Sequence, residues 1–146
     1  MESATHLDLS SLKKAIISLE EAVHEFHIQT ANSFIRDACI QRFEYTYELT
    51  HKMLKRYLEM SEAQREEIDQ MSFPTLIRTG AEKGLLQHSW DLWSAFRTAR
   101  NLTSHTYNES KAIEVCQIIP TFLNEAQYLL SELEKRTVSP WSQRLI

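Results

Sequence analysis

This 146-residue chain almost lacks the two residue types that most often interrupt helices, since it has only two glycines and three prolines. A β-sandwich or β-barrel needs many tight turns, which glycine and proline usually build, so their scarcity argues against both architectures. The length favours one domain that is large enough to bury most of its apolar surface. We therefore expect an all-α fold in a single domain over residues 1–146, with flexible ends at about residues 1–8 and 137–146.

Apolar residues recur at three- and four-residue steps in four long segments, which is the pattern of amphipathic helices. The predicted long helices cover about residues 9–29, 32–60, 87–104 and 108–136. Ser10 or Ser11 is expected to cap the first helix, Asn32 the second and Asn108 the last. Pro120 falls inside the last helix and should kink it.

The segment between the second and fourth helices is expected to be a short connector. Residues 59–70 are polar and acidic, and they either extend the second helix or form a linker. The segment Ser72-Phe73-Pro74 opens a short helix, because proline is tolerated in a first helical turn. Gly80 or Gly84 should end it. The predicted architecture is an up-and-down antiparallel four-helix bundle with one short extra helix.

The same periodicity predicts which side chains form the core. The first helix should bury Leu12, Ala15, Ile16, Leu19, Ala22, Val23 and Phe26, and the last should bury Ile113, Cys116, Ile119, Leu123, Ala126, Leu130 and Leu133. Trp90 and Trp93 are interpreted mainly as core or interface residues, with a base-stacking platform as the alternative. Cys39 and Cys116 form no CxxC pair, so we expect buried free thiols in a reducing compartment.

Charge and hydropathy narrow the functional classes. The net charge of −4 argues against nucleic-acid binding over the whole surface, but it leaves room for a local basic site around Arg97, Arg100, His105 and Lys111. The chain begins with no secretory pattern and has no apolar run of the roughly 18 residues that a membrane span needs. We expect a soluble, cytoplasmic protein with no membrane partner.

The segment RNLTSHTY, residues 100–107, carries the most informative chemistry and lies where the fourth helix should end. In a continuous helix, Asn101 and His105 would share one face, Arg97 would extend that face by a turn, and Arg100 would lie beside it. An arginine can bind phosphate through two parallel hydrogen bonds, and a histidine can move protons near neutral pH. The hydroxyl of Tyr107 can donate, accept or be modified.

Together these groups suit a phosphodiester or a nucleotide. The alternative is a solvated helix end with a hydrogen-bonded loop, and spacing alone favours that simpler interpretation. No carboxylate cage or Cys/His set lies nearby in the sequence, so we expect no metal and no cofactor.

Three charged residues of the second helix, Arg42, Glu44 and Glu48, lie among aromatic positions. In one interpretation they are on a solvated face and form pairs such as Glu48 with Lys52. In the other, they point into a half-buried polar pocket or an interface, because the dense aromatic residues leave little room for a fully solvated face.

Two stretches of the chain resemble a known family. The Arg100-x4-His105-x-Tyr107 motif, with Asn101 after the arginine, resembles the signature of the HEPN superfamily of helical domains. The stretches QRFEYTYEL (residues 41–49) and LKRYL (residues 54–58) resemble its nucleotidyltransferase substrate-binding group. The resemblance covers nearly the whole chain and favours the functional interpretation of the motif.

This resemblance implies a dimeric helical bundle that works beside a small minimal nucleotidyltransferase in a two-component, toxin–antitoxin-like system. It implies either a substrate- or nucleotide-binding partner subunit or a metal-independent endoribonuclease toxin that the transferase neutralises. His105 would then be the acid/base, Arg100 the phosphate clamp, Asn101 an orienting or binding residue, and Tyr107 an adenylylation acceptor. A structural helical dimer with a degenerate site is a third hypothesis.

Cleavage of RNA through its 2′-hydroxyl needs both a base and an acid, whereas one motif offers a single histidine. A two-fold dimer with the motifs facing each other would supply two histidines and two arginines in one cleft. Any catalysis by this chain is therefore expected to require the dimer, and a monomeric variant with full ribonuclease activity would contradict this.

Overall fold

A computed structural model describes residues 6–61 and 64–137, and every regular element in these ranges is helical. The all-α prediction is confirmed. The elements are α1 (Ser10–Ile28), α2 (Ser33–Ser61), α3 (Arg65–Gln70), α4 (Phe73–Glu82), α5 (Trp90–Leu102), a 3₁₀ turn (Thr103–His105) and α6 (Glu109–Thr137). None of these helices is both long enough and apolar enough to cross a membrane. The tail from residue 138, with Pro140 and Trp141, and the expected flexibility of residues 1–5 lie outside the described residues.

The helix starts show which capping predictions were right. Asn32 accepts hydrogen bonds from the backbone N–H groups of Phe34 and Ile35, at 2.9 and 3.1 Å. Asn108 accepts one from the N–H of Lys111 at 3.3 Å, so both predicted asparagine caps are confirmed. At α1 the prediction of a serine cap is wrong.

Asp8, two residues before α1, contacts the first residue of the helix. Its carboxylate accepts hydrogen bonds from both the backbone N–H and the hydroxyl of Ser10, at 2.9 and 2.7 Å. These bonds lower the pKa of Asp8, because they favour the ionised carboxylate. Leu7, one residue earlier, is buried, so core packing begins two residues before the predicted start at Leu9.

The connector after α2 is a separate short helix, α3, rather than an extension of α2. Ser72 accepts a hydrogen bond from the N–H of Thr75 at the start of α4, and Pro74 lies in that first turn as predicted. Gly80 lies buried inside α4, where an added Cβ would come within 3.1 Å of Leu54. Gly84 has a φ of +77°, which favours glycine, and it follows the end of α4.

The helices pack around one aromatic-rich core that includes residues from each of α1, α2, α3, α4, α5 and α6. Phe122 makes edge-to-face contacts with Phe43 and Phe96, at centroid distances of 5.0 and 5.3 Å. Trp93 is almost fully buried and stacks edge-on against Phe96, which confirms that it is a core residue. Burial raises the pKa of the free thiol of Cys39 to about 11.

The predicted core face of α6 was partly wrong. Ile113 is 48% exposed, while the inward face runs through Ala112, Val115, Ile119, Phe122, Ala126, Leu129 and Leu133. Cys116 and Leu130 are only half-buried. This helix is so rich in apolar residues that two faces one position apart both fit a helical period, and packing against the neighbouring helices decides between them. The helix continues through Pro120 without interruption, and the kink remains a prediction.

A buried carboxylate, Glu125, holds the start of α5 against α6. Its side chain is 1% exposed and accepts hydrogen bonds from the backbone N–H groups of Gln87 and His88 and from the indole N–H of Trp93, each at 3.0 Å. Helical periodicity does not reveal this residue, because glutamate is rarely buried unless it is paired. Its three donors explain why it is tolerated there.

Replacement of Glu125 by alanine should lower the free energy of unfolding by about 3 kcal/mol, because one buried and two partly buried donors would lose their acceptor. Glu125→Gln keeps one acceptor oxygen and should cost less. Urea denaturation followed by circular dichroism measures both changes. Glu114→Ala, on an exposed position of the same helix, is the control and should stay within about 0.5 kcal/mol of the parent chain. An equal effect of the Glu125 and Glu114 variants would contradict this account.

Candidate functional site

Arg100, the first residue of the motif, is held against α2 by two carboxylates. Its Nε atom donates to Glu48 Oε1 at 2.8 Å, and its Nη1 atom lies 3.2 Å from Glu44 Oε2. Thr103 completes the network, with its hydroxyl 2.8 Å from Glu44 Oε2 and 2.7 Å from the Arg100 carbonyl oxygen. The ion pairs therefore fix the orientation of this guanidinium and offset its charge.

The structure separates Arg42 from the two glutamates with which the sequence grouped it. Its Nη1 atom donates to the carbonyl oxygen of Ser18 in α1 at 2.7 Å, so it ties α1 to α2. Glu44 and Glu48 are four residues apart and share one helix face, whereas position 42 lies well round the axis from position 44. Glu48 pairs with Arg100, rather than with Lys52 as one interpretation expected.

A cleft of about 260 Å³ opens beside this ion-pair network, between α2, α4 and α5. We call it the arginine cleft. It is lined by Tyr47, Glu48, His51, Phe73, Arg97, Arg100 and Asn101. Three of the five residues proposed for binding, Arg97, Arg100 and Asn101, thus meet in one place.

Arg97 presents an exposed guanidinium at this cleft. The group lies 5.7 Å from the ring centroid of Phe73 and 6.0 Å from that of Trp90, which are cation–π distances. Within residues 6–61 and 64–137, no hydrogen bond or ion pair occupies its N–H groups. Arg97 is therefore free to bind an anion, whereas Arg100 is already engaged by Glu44 and Glu48.

His51 is a cleft residue that the sequence analysis missed. Its ring meets the Phe73 ring edge-on at a centroid distance of 4.5 Å. Burial lowers the pKa of His51, and the charges of Lys55 and Arg97 lower it further against the opposing charge of Glu48. The imidazole is consequently neutral at pH 7 and can accept as well as donate a hydrogen bond. The sequence does contain one indication of this residue, because His51 follows Glu48 by three positions and is therefore its neighbour on the helix surface.

The motif does not stay together as the sequence predicted. The α-helix ends at Leu102 and continues as the 3₁₀ turn Thr103–His105, which has fewer residues per turn. The α-helical register from which Asn101 and His105 were expected to share a face is therefore not kept to His105. His105 and Tyr107 are exposed, lie outside the lining of the arginine cleft, and have ring centroids 6.3 Å apart.

Comparisons with known proteins agree with the all-α fold and with the family that the sequence resembles. The family described as "nucleotidyltransferase substrate binding protein like" matches residues 7–135. A Haemophilus influenzae protein described as a probable ribonuclease HepT is 36% identical over 140 residues, which cover 89% of this chain and 94% of that protein.

Two solved structures are similar over most of the chain. One is a Haemophilus influenzae protein described as having the fold of a substrate-binding domain of a nucleotidyltransferase. It is 33% identical, with a TM-score of 0.80, and the match covers 87% of this chain and 99% of that one. The other, from Thermus thermophilus, is 32% identical, with a TM-score of 0.67 and coverage of 84% and 98%.

Replacement of Glu48 by glutamine should strengthen binding of inorganic phosphate to the arginine cleft. The change removes one negative charge from the cleft wall. The repulsion between two unit charges about 4 Å apart in a solvated site is worth about 1 kcal/mol, or about fivefold in affinity. Isothermal titration calorimetry measures the affinity. Glu21→Gln changes the net charge equally at an exposed position of α1 and should leave the affinity unchanged. Equal affinities of all three proteins would contradict the proposed charge balance.

Proposed function

Since the chain belongs to the nucleotidyltransferase substrate-binding family of HEPN-like helical proteins, we propose that it is the nucleotide-binding partner subunit of a small nucleotidyltransferase. The observation that carries this proposal is the arginine cleft, in which Arg97, Arg100 and Asn101 lie together on the surface. Arginine and amide groups are suitable ligands for a phosphate and a base edge. The transferase would supply the metal-binding aspartates of the reaction, and this chain would bind and present a substrate.

The partner role is tested by producing the tagged chain together with a small nucleotidyltransferase encoded in a neighbouring reading frame. We expect the two proteins to elute as one complex in size-exclusion chromatography. Light scattering on the same complex should show two copies of this chain, because the proposed assembly is a dimer. Separate elution of the two proteins would contradict the partner role.

Tyr107 is proposed as the site at which the transferase modifies this chain. Its side chain is 89% exposed, and no described residue occupies its hydroxyl. In the reaction, the tyrosine oxygen would attack the α-phosphorus of ATP, pyrophosphate would leave, and the phenolic proton would pass to solvent. Incubation of the complex with ATP should add the mass of AMP. Tyr107→Phe should lose this shift, and Tyr45→Phe, which removes another exposed hydroxyl, should retain it.

A second candidate function is a metal-independent endoribonuclease. It is favoured by the 36% identity to a probable ribonuclease and by the exposure of His105 and Tyr107 beside the cleft helix. In this hypothesis Arg100 positions the phosphodiester, and His105 transfers a proton. One chain keeps His105 outside the lining of the arginine cleft, so a second copy facing the first would have to bring a histidine to each arginine.

Expression of the chain without the transferase distinguishes the two functions. If the chain is a ribonuclease, growth should arrest and RNA fragments should accumulate, and His105→Ala should abolish both effects. His24→Ala, on an exposed position of α1, should keep them. If neither the parent chain nor the variant has any effect, the ribonuclease hypothesis is wrong and the binding subunit remains.

A further inference from the structure

The arginine cleft contains three polar side chains whose hydrogen-bonding capacity is unused. Among the residues that the structure describes, no hydrogen bond or ion pair occupies the Arg97 guanidinium, the His51 ring nitrogens or the Asn101 amide. They line the same cleft of about 260 Å³. A cleft that gathers a cation, an imidazole and an amide without mutual pairing offers all of them to a ligand.

The cleft is also aromatic on one side. Phe73 is half-buried and contacts His51 on one edge and Trp90 on another, at centroid distances of 4.5 and 5.7 Å. The guanidinium of Arg97 lies over the Phe73 ring. An aromatic corner next to a cation is the surface on which nucleobases stack while a neighbouring phosphate is neutralised.

The charges decide which arginine takes the phosphate. Glu44 and Glu48 occupy the Nε and Nη1 atoms of Arg100 and offset its charge. Arg97 has no such partner in the described chain, so no carboxylate offsets its charge and its N–H groups are free to bind a phosphate. The expectation that Arg100 is the phosphate clamp therefore changes within one chain. Arg97 has the free N–H groups that can contact the phosphate, and Arg100 holds α5 against α2.

From this arrangement we propose that the arginine cleft binds a nucleoside monophosphate unit, with its phosphate on Arg97 and its base against the corner formed by His51 and Phe73. Asn101, which can both donate and accept, hydrogen-bonds the base edge or the sugar. This inference rests on the proposed nucleotide-binding function and adds to it the residues that recognise the base. His51 is thereby the residue that stacks on the base.

The size of the cleft agrees with this assignment. Sites for drug-sized ligands span roughly 300–1,000 Å³, and the arginine cleft is slightly smaller, at about 260 Å³. A single nucleotide unit is small among such ligands, so a cleft of this size suits it better than it suits a dinucleotide cofactor. The unit could be a free nucleotide or one residue of an RNA strand, because both present the same base and phosphate.

The test measures binding of three probes to the full chain by isothermal titration calorimetry: AMP, inorganic phosphate, and a four-nucleotide 2′-O-methyl RNA that cannot be cleaved through its 2′-oxygen. We expect AMP to bind about tenfold more tightly than phosphate, because stacking of one base is worth roughly 1–3 kcal/mol. His51→Ala should weaken AMP about tenfold and leave phosphate within twofold. His51→Phe should restore most of the AMP affinity, since it keeps a ring at this position.

Two further variants locate the phosphate and provide a control. Arg97→Gln should weaken AMP and phosphate to a similar extent, because it removes the contact that they share. His24→Ala, an exposed histidine outside the cleft, should change neither affinity. Tighter binding of the RNA than of AMP assigns the unit to RNA, and the reverse assigns it to a free nucleotide. Either result supports the base site, provided that His51→Ala weakens the binding.

Equal affinities for AMP and phosphate, or an AMP affinity that does not change in His51→Ala, would overturn the base site. This outcome is separable from failure of the partner role, which is measured by co-elution with the transferase. A chain that forms the complex but binds no AMP loses only the base site. A chain that binds AMP through His51 but forms no complex keeps the base site and loses the partner role.

Discussion

Helix α5 carries Arg97, Arg100 and Asn101 of the arginine cleft, and carboxylates from neighbouring helices fix this helix at both ends. At its start, the buried Glu125 of α6 accepts three hydrogen bonds from the incoming loop and from Trp93. At its end, Glu44 and Glu48 of α2 hold Arg100. Because these contacts lie on different helices, the position of α5 depends on the assembled bundle. The positions of Arg97 and Asn101, which α5 carries, therefore depend on the assembled bundle as well.

This arrangement divides the motif into two parts with different environments. The residues proposed to bind a ligand, Arg97 and Asn101, face a cleft formed by one chain. The residue suited to proton transfer, His105, is exposed beyond the helix end. Binding is therefore available to a single copy, whereas acid–base chemistry at the same phosphate would need a group from elsewhere. The same motif can accordingly serve a binding subunit or a nuclease, depending on what it faces in the assembly.

Much of the fold could be predicted from the sequence, because helical periodicity and asparagine caps are local signals. The scarcity of glycine and proline indicated the all-α class, and Asn32 and Asn108 marked two helix starts. The buried face of α6 could not be predicted, because the choice between Ile113 and its neighbours depends on what the helix packs against. The approach of Arg100 to Glu44 and Glu48 could not be predicted either, since it joins residues more than fifty positions apart. His51 was missed for the same reason, because its significance comes from Phe73 and Arg97 on other helices.

The chemistry of the buried thiol follows from its surroundings. The side chain of Cys39 is 1% exposed, and burial raises its pKa to about 11. Thiolate is the reactive form, so this sulfur is nearly inert towards peroxides and alkylating reagents while the helices stay packed. Its labelling rate is consequently governed by transient opening of the bundle. Cys39 thus provides a native probe of local unfolding beside α1 and α6, with no need to introduce a cysteine by mutation.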